Sequence, residues 1–171
     1  MKRYRHMILS VIIIFIDQLT KNFVVANIEI NTIGYSIFND FLRIIHVRNN
    51  AVAFSLGHNL DFPIRLVLFI IVPILVIFYI FYLMYYEKEI KITNFQRWLF
   101  AGFIGGGLGN LYDRIFRGFQ VVDFMSNKVY GLFGLDRWPT WNIADASVVI
   151  CGVLMILSII YGYFKNKDQL D

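Results

Sequence analysis

Three aspartates, one arginine and two asparagines stand at the ends of runs that are otherwise almost wholly apolar. Asn110, Asp113, Arg114 and Asp123 fall within the stretch Gly102–Phe124, and Asn142 and Asp145 fall within the segment Trp-Asn-Ile-Ala-Asp at 141–145. Ionised groups beside hydrocarbon are costly, so by default they mark a site. Two carboxylates held close in a poorly solvated place cannot both ionise easily. One pKa rises, the pair shares a proton, and it can then activate water while protonating a carbonyl. That chemistry needs no metal, thiol or imidazole. The alternatives in this chain are thin. The single cysteine, Cys151, lies inside an apolar run and allows no internal disulfide. His6, His46 and His58 lack the H-x-x-x-H spacing of a zinc protease, no G-x-S-x-G is present, and no phosphate loop is present. No metal or other cofactor is therefore expected.

Each of these residues also has a plainer explanation. Asn110, Asp113 and Arg114 at i, i+3 and i+4 share a helical face, where an Asp113–Arg114 pair can hold the chain leading to Asp123. Asn142-x-x-Asp145 after Pro139 is the pattern of a capping box opening a helix, with an acid in its first turn. Asp123 is what capping leaves unexplained, because it sits inside Val121-Val122-Asp123-Phe124 with apolar neighbours. Ahead of these residues, Gly102 and Gly106 form one small-xxx-small row and Gly105 and Gly109 a second on an adjacent face. Such rows let neighbouring helices approach closely.

The elements that must position the site read as a membrane protein. The chain is 58% hydrophobic and 16% charged, and its apolar residues lie in long runs. Four spans are expected, roughly over residues 7–26, 63–86, 98–116 and 140–164, within a single membrane domain covering 1–171. The first has a basic lead and could pass for a cleaved signal peptide, but apolar character resumes at Phe23 and Met7–Ala26 makes a helix of about 30 Å. Asp17 and Lys21 stand at i, i+4 within it, a spacing that allows an ion pair facing other polar groups of the bundle. Pro73 is expected to kink the second span. The polar excursions 27–62 and 117–139 carry strand-like alternation at Ile28–Asn31, from Leu42 through Arg48, and at Phe119–Phe124, with Ser126-Asn127 as turn residues. A small sheet on the membrane surface follows.

Four spans put both termini on one side. Lys2, Arg3, Arg5, Lys88, Lys91, Arg97, Lys165 and Lys167 lie there, against Arg43, Arg48, Arg65, Arg117, Lys128 and Arg137 opposite. The dense basic N-terminus places the termini in the cytoplasm. The net charge of +4 is scattered, so it suits membrane topology and contact with anionic membrane lipids and implies no nucleic-acid partner. This topology sets Asp17, Lys21, Asn49, Asn110, Asp113, Arg114, Asp123, Asn142 and Asp145 at one membrane level on the outer side.

These residues carry a resemblance. The chain resembles the lipoprotein signal peptidases (signal peptidase II), bacterial inner-membrane aspartic proteases. Asp17-Gln18-Leu19-Thr20-Lys21 matches the first motif of that family. Asn49 with Ala53-Phe54-Ser55 matches the second. Gly106, Gly109, Asn110, Asp113 and Arg114, with Val122-Asp123-Phe124, match the third. Pro139, Asn142, Ala144 and Asp145 match the fourth. Three positions depart from the pattern: Ala51 stands where glycine is usual, Gln120 is an extra residue before Asp123, and Trp141 replaces phenylalanine.

The resemblance implies a four-helix membrane bundle with a small periplasmic β cradle, and a catalytic dyad of Asp123 and Asp145. It implies supporting or substrate-binding roles for Asp17, Lys21, Asn49, Gly106, Asn110, Asp113, Arg114, Asn142 and Ala144. The implied substrates are diacylglyceryl-modified prolipoproteins, cleaved before the lipid-bearing cysteine, and the implied inhibitor is globomycin. Two other classes compete on the residues alone. Buried charge also marks proton-coupled carriers, though no inverted repeat is visible. Glycine rows also serve non-catalytic assembly factors that bind partner helices.

Overall fold

The computed structural model describes residues 4–50 and 60–167. The Ala53-Phe54-Ser55 motif and Ala51 lie outside the described residues. Helix α1 runs over Met7–Asn27, without an internal glycine or proline, and stops where Ile28 turns extended. Ile28 is buried against Val24, Val122 and Phe124, while Glu29 to Thr32 form a tight turn in which Thr32 N–H and Oγ1 both donate to the Glu29 carbonyl. Asn31 there has φ +62. The alternation at Ile28–Asn31, read as a strand, is thus a buried helix-end residue followed by a turn.

A three-stranded antiparallel sheet follows, in the order β1-β2-β3, from Ile33–Ile37 (β1), Leu42–Asn49 (β2) and Val121–Asn127 (β3). In its register Val47 opposes Asp123 and Asn49 opposes Val121. Ser126 and Asn127, expected as a turn, are the last paired residues of β3, opposite Arg43 and Leu42. Arg137 Nε donates to Ser126 Oγ and holds that end in place. Turn propensity yields here to pairing across the chain.

Phe62–Leu66 (α2) leads through a π-helical turn, Val67–Ile71, into Val72–Tyr85 (α3). Pro73 has no N–H to give to the preceding turn and its ring crowds that turn. The distortion expected at Pro73 is taken up one turn earlier, where Val72 N–H reaches back to the Val67 carbonyl. Helix α4, Asn94–Phe116, starts at a capping box in which Thr93 and Gln96 satisfy one another's N–H groups, ahead of the expected start at 98. Helix α5 covers Ile143–Lys167.

Met7–Asn27, Phe62–Tyr85 and Ile143–Lys165 are each long and apolar enough to cross a membrane. The described residues are therefore mostly helical, with three candidate membrane helices and one small sheet. Helix α4 has comparable length at 23 residues, but glycines and polar groups dilute its apolar content. It is the central element, packed against α1, α3 and α5.

The glycine rows explain how α4 can occupy the centre. A Cβ on Gly106 would stand 2.5 Å from the Ala144 carbonyl oxygen and 2.8 Å from Val148 Cγ2, both on α5. One on Gly105 would meet the Ser10 backbone of α1 at 2.9 Å, and one on Gly109 would meet Asp17 Oδ2 at 2.7 Å. One row admits α5 and the other admits α1. Because the neighbours of Gly106 include backbone, Gly106→Ala is expected to lower thermal stability by about 1–3 kcal/mol, the usual range for overpacking. Gly162→Ala, where no atom lies within 4 Å of the added carbon, should leave the melting temperature unchanged or raise it. Equal melting temperatures for both variants and the parent would refute the close approach.

Candidate active site

The polar site forms where the C-terminal halves of α1 and α4, the start of α5 and the strand β3 converge. Asn142 ends the loop before α5 and caps it. Its Oδ1 accepts the Asp145 N–H at 2.9 Å, and Asp145 Oδ2 accepts the Asn142 N–H at 3.1 Å. The capping box read from the sequence is therefore present, and it leaves both side chains with capacity for other partners. Asp145 Oδ1 accepts from Asn110 Nδ2 at 2.7 Å. Asn142 Nδ2 lies 2.7 Å from Asp123 Oδ1 and 3.1 Å from Asn110 Oδ1. Asn49, from β2, donates to Asp123 Oδ2 at 2.9 Å. Two asparagines thus bridge Asp123 to Asp145, and a third holds Asp123 from the sheet.

Burial raises the Asp123 carboxyl to about 7, the nearby charge of Asp145 adds to the rise, and the Asn49 and Asn142 donors oppose it. Asp123 is 2% exposed, although it borders a cleft of about 1210 Å³. Asn49, Asn110, Arg114 and Asp145 border the same cleft, whose sides continue between apolar residues of α3 and α5, including Pro73, Val148 and Val149. Two bridged carboxylates, one titrating near neutrality, can hold a single proton between them at the mouth of an apolar cleft.

Beneath the dyad lies a charged cluster. Lys21 Nζ is 2.8 Å from Asp17 Oδ2 and 3.0 Å from Asp113 Oδ2, with all three side chains fully buried. It also donates to Asn110 Oδ1 at 2.9 Å. Asp17 Oδ1 accepts the Ala144 N–H at 3.0 Å, placing a carboxylate on the N-terminus of α5, where the helix dipole favours it. Asp113 Oδ2 accepts the Val122 N–H at 3.0 Å and so fixes the residue just before Asp123.

Gln120, read in the sequence as an extra residue before Asp123, does not disturb this path. Gly118 and Phe119 take positive φ values of 65 and 67 in the turn after α4, and Asp113 fixes the strand beyond it. At Trp141 the departure has a use. The indole Nε1 donates to Asn127 Oδ1 at 2.9 Å, a bond phenylalanine could not make, while its backbone pairs with Met125.

Gly106 and Ala144 meet at the α4–α5 contact. Arg114 points elsewhere than expected. Asp113 and Arg114 are neighbours in sequence and so lie about 100° apart around the helix. The role foreseen for an Asp113–Arg114 pair is filled by Asp113 with Lys21 and Arg117, the latter at 3.2 Å. Arg114 instead borders the cleft, 5.6 Å over the Phe69 ring and within electrostatic reach of Asp145 and Asp123, with Asp113 a weaker influence.

Two contributors were missed in the sequence. Gln18 Nε2 joins Asp17, the Gly109 carbonyl and Asp113, and Arg117 joins Asp113, Gln18 and Asn22. The i, i+4 spacing of Asp113 and Arg117 was a usable signal. Among the described residues, no group of three His, Cys, Asp or Glu side chains is placed to hold a metal ion.

Fold and site together define a helical membrane protein whose cleft presents a bridged pair of carboxylates, Asp123 buried and Asp145 half-buried. The chain belongs to the signal peptidase II family: the family model described as Signal peptidase (SPase) II matches residues 9–161. Curated relatives include the lipoprotein signal peptidase of Borrelia garinii subsp. bavariensis, 42% identical over 99% of this chain and 96% of its own. That of Treponema pallidum is 42% identical over 94% of this chain and 83% of its own. Two solved structures are similar, each described as a bacterial membrane enzyme determined by the in meso method. The one at 2.3 Å resolution has a TM-score of 0.77 at 27% identity and covers 92% of this chain and 88% of its own. The one at 1.9 Å has a TM-score of 0.75 at 26% identity and covers 91% of this chain and 92% of its own. Membership in a peptidase family sets aside the carrier and assembly-factor readings.

Proposed function

We propose that the chain is a membrane-embedded aspartic endopeptidase that removes signal peptides from diacylglyceryl-modified prolipoproteins, cutting before the lipid-bearing cysteine. The observation that carries the reading is the bridged pair Asp123–Asp145 at the mouth of an apolar cleft. Family membership and the name of the relatives, lipoprotein signal peptidase, support it.

With one proton shared, the ionised carboxylate takes a proton from water as the water oxygen attacks the scissile carbonyl carbon. The protonated partner gives its proton to the carbonyl oxygen. Collapse of the tetrahedral species breaks the C–N bond, and the amine of the lipid-bearing cysteine leaves with a proton returned by the dyad. Asn49, Asn110 and Asn142 hold the two carboxylates. Lys21, Asp17 and Asp113 fix the elements that carry them, and Gly106 with Ala144 sets the α4–α5 approach. Arg114 faces the substrate space.

In this reading α4 is the fourth crossing helix of one membrane domain. Both termini are cytoplasmic, and the sheet and dyad lie at the periplasmic face of the bacterial inner membrane. A diacylglyceryl group and a signal helix would both hold the scissile bond at that level, where water is available. Globomycin is the expected inhibitor.

The lipid is expected to set the register of the bond against the dyad beyond anchoring it, although each buried CH₂ alone contributes about 0.8 kcal/mol of membrane affinity. The test compares lipidated and unmodified forms of one prolipoprotein, embedded through the same signal helix in the same bilayer. The lipidated form should be cleaved and the unmodified form left intact. Equal rates would reduce the enzyme to a general interfacial protease.

A further inference from the structure

Among the described residues, Arg48 is a cation that the dyad and its supports leave over. It borders the cleft in β2, yet the alternation that turns Asn49 toward Asp123 turns Arg48 to the other face of the sheet. There its Cα pairs with Val122, whose side chain packs on Val24 of α1 and on Ile28 just past its end. The Val122 N–H is held by Asp113, and Asp113 is held in turn by Arg117, so Arg48 and Arg117 are brought to one place. Arg117 is anchored there, with Nη2 donating to Gln18 Oε1 at 3.1 Å and to Asn22 Oδ1 at 2.8 Å.

The charges do not balance. Asp17 and Asp113 are matched by Lys21 and Arg117, and Arg48 remains. It is partly buried and its side chain makes no hydrogen bond or ion pair among the described residues. Burial and the charge of Arg117 both depress its pKa, and Asp113 only partly offsets them. A partly buried guanidinium within electrostatic reach of a second one calls for an anion, and the Arg48 fork suits the oxygens of phosphate. The surroundings say where such a phosphate would come from. On α1, Leu19 and Phe23 flank Asn22, and on α4, Tyr112 and Phe116 precede Arg117; all four are exposed apolar side chains. A phosphate here would therefore sit above hydrocarbon.

We propose that Arg48 and Arg117 form a binding site for the phosphate of an anionic phospholipid, seated where α1 and α4 emerge from the apolar layer. A headgroup there would tie β2, which supplies Asn49, to the end of α4, which fixes Val122. The site lies on the face of the sheet that carries Val122, opposite to Asn49 and Asp123, and does not depend on the peptidase reading.

The test places the purified protein in phosphatidylcholine nanodiscs and follows its melting temperature as phosphatidylglycerol replaces part of the lipid, with inorganic phosphate added to pure phosphatidylcholine discs as a second arm. The parent should be stabilised by phosphatidylglycerol, with a saturating dependence, and should not respond to free phosphate. Arg48→Ala should need about tenfold more phosphatidylglycerol or more for the same shift, the usual effect of losing a charged hydrogen bond. In pure phosphatidylcholine it should be as stable as the parent, because the guanidinium has no hydrogen-bond or ion-pair partner among the described residues to lose. Arg48→Lys should fall between the two. Lys128→Ala, which removes the same charge elsewhere on the polar excursions, should follow the parent.

Coincident curves for Arg48→Ala and the parent would overturn the site. So would a parent that ignores phosphatidylglycerol, or an Arg48→Ala protein already less stable in phosphatidylcholine. Weakening by Lys128→Ala as large as that by Arg48→Ala would mean a diffuse field in place of a site. A response to inorganic phosphate equal to that of the lipid would overturn the headgroup assignment.

Discussion

Replacing either Asp123 or Asp145 with asparagine is expected to reduce cleavage of a lipidated prolipoprotein by roughly four orders of magnitude while leaving a folded membrane protein. The two groups act as a unit, and units of this kind fail nearly completely when either member is lost. Folding should survive because the change removes a desolvated carboxyl. At Asp123 the loss is limited. Its two oxygens accept from Asn49 and Asn142, and an amide retains one acceptor and sets its NH₂ against the other donor. Opposing that lost bond is relief from burying a charge.

The pH dependence separates these contributions. Because the Asp123 pKa is raised from 3.8 to about 7, the folded protein holds a proton between those values that the unfolded chain has released. Stability therefore declines as pH rises through that window and levels off above about 7, by a few kcal/mol in all. Asp123→Asn should flatten the decline. In the parent, kcat/KM should fall as pH rises past about 7, where the shared proton is lost. Substantial turnover by either purified amide variant would falsify the dyad.

What could be read from the sequence was what depends on local spacing. The i, i+4 separation of Asp17 and Lys21 became an ion pair, the two glycine rows became two helix contacts, and Asn142-x-x-Asp145 became a reciprocal cap. None of these needs knowledge of a distant segment. The bridge from Asn142 to Asp123 and Asn110 spans three elements and has no local signal, so sequence alone could gather these residues only by membrane level. The errors have the same origin. Ile28–Asn31 alternates like a strand because α1 ends with one buried side chain. Ser126-Asn127 looks like a turn until Arg43 and Leu42 pair with it. Arg114 was assigned to Asp113 by face, but one residue of separation turns the two apart, and Arg117 one turn later was the better partner. Gln18 carried no charge or period to draw notice, yet it closes the gap between Asp17, Gly109 and Asp113.

The charged cluster below the dyad sets the second large expectation. Lys21 is 0% exposed and satisfies Asp17, Asp113 and Asn110 within 3.0 Å. Each of those partners then holds something else: Asp17 the first turn of α5, Asp113 the strand before Asp123, and Asn110 the carboxylate of Asp145. Lys21→Met keeps most of the volume and deletes the charge, leaving Asp17 without an ion-pair partner and Asp113 with Arg117 alone. Breaking a buried pair in this way costs about 3–5 kcal/mol, mostly the penalty of the uncompensated carboxylate. For a chain of this length that corresponds to a fall in melting temperature of roughly 10 °C. Activity should fall as well, because Asn110 loses one of the two donors that orient it toward Asp145 and keeps only Asn142.

The pair Lys21→Met with Asp17→Asn separates charge from packing. Asparagine can still accept the Ala144 N–H through Oδ1, so the double variant retains the α5 contact without the stranded charge. It should recover at least about 1 kcal/mol of the loss seen in Lys21→Met alone, a coupling within the range for residues in one network. A Lys21→Met protein as stable as the parent would mean that the cluster contributes nothing to the fold. A double variant showing no recovery would mean that Lys21 acts through shape, and the electrostatic account of how α1 holds α5 would fall with it.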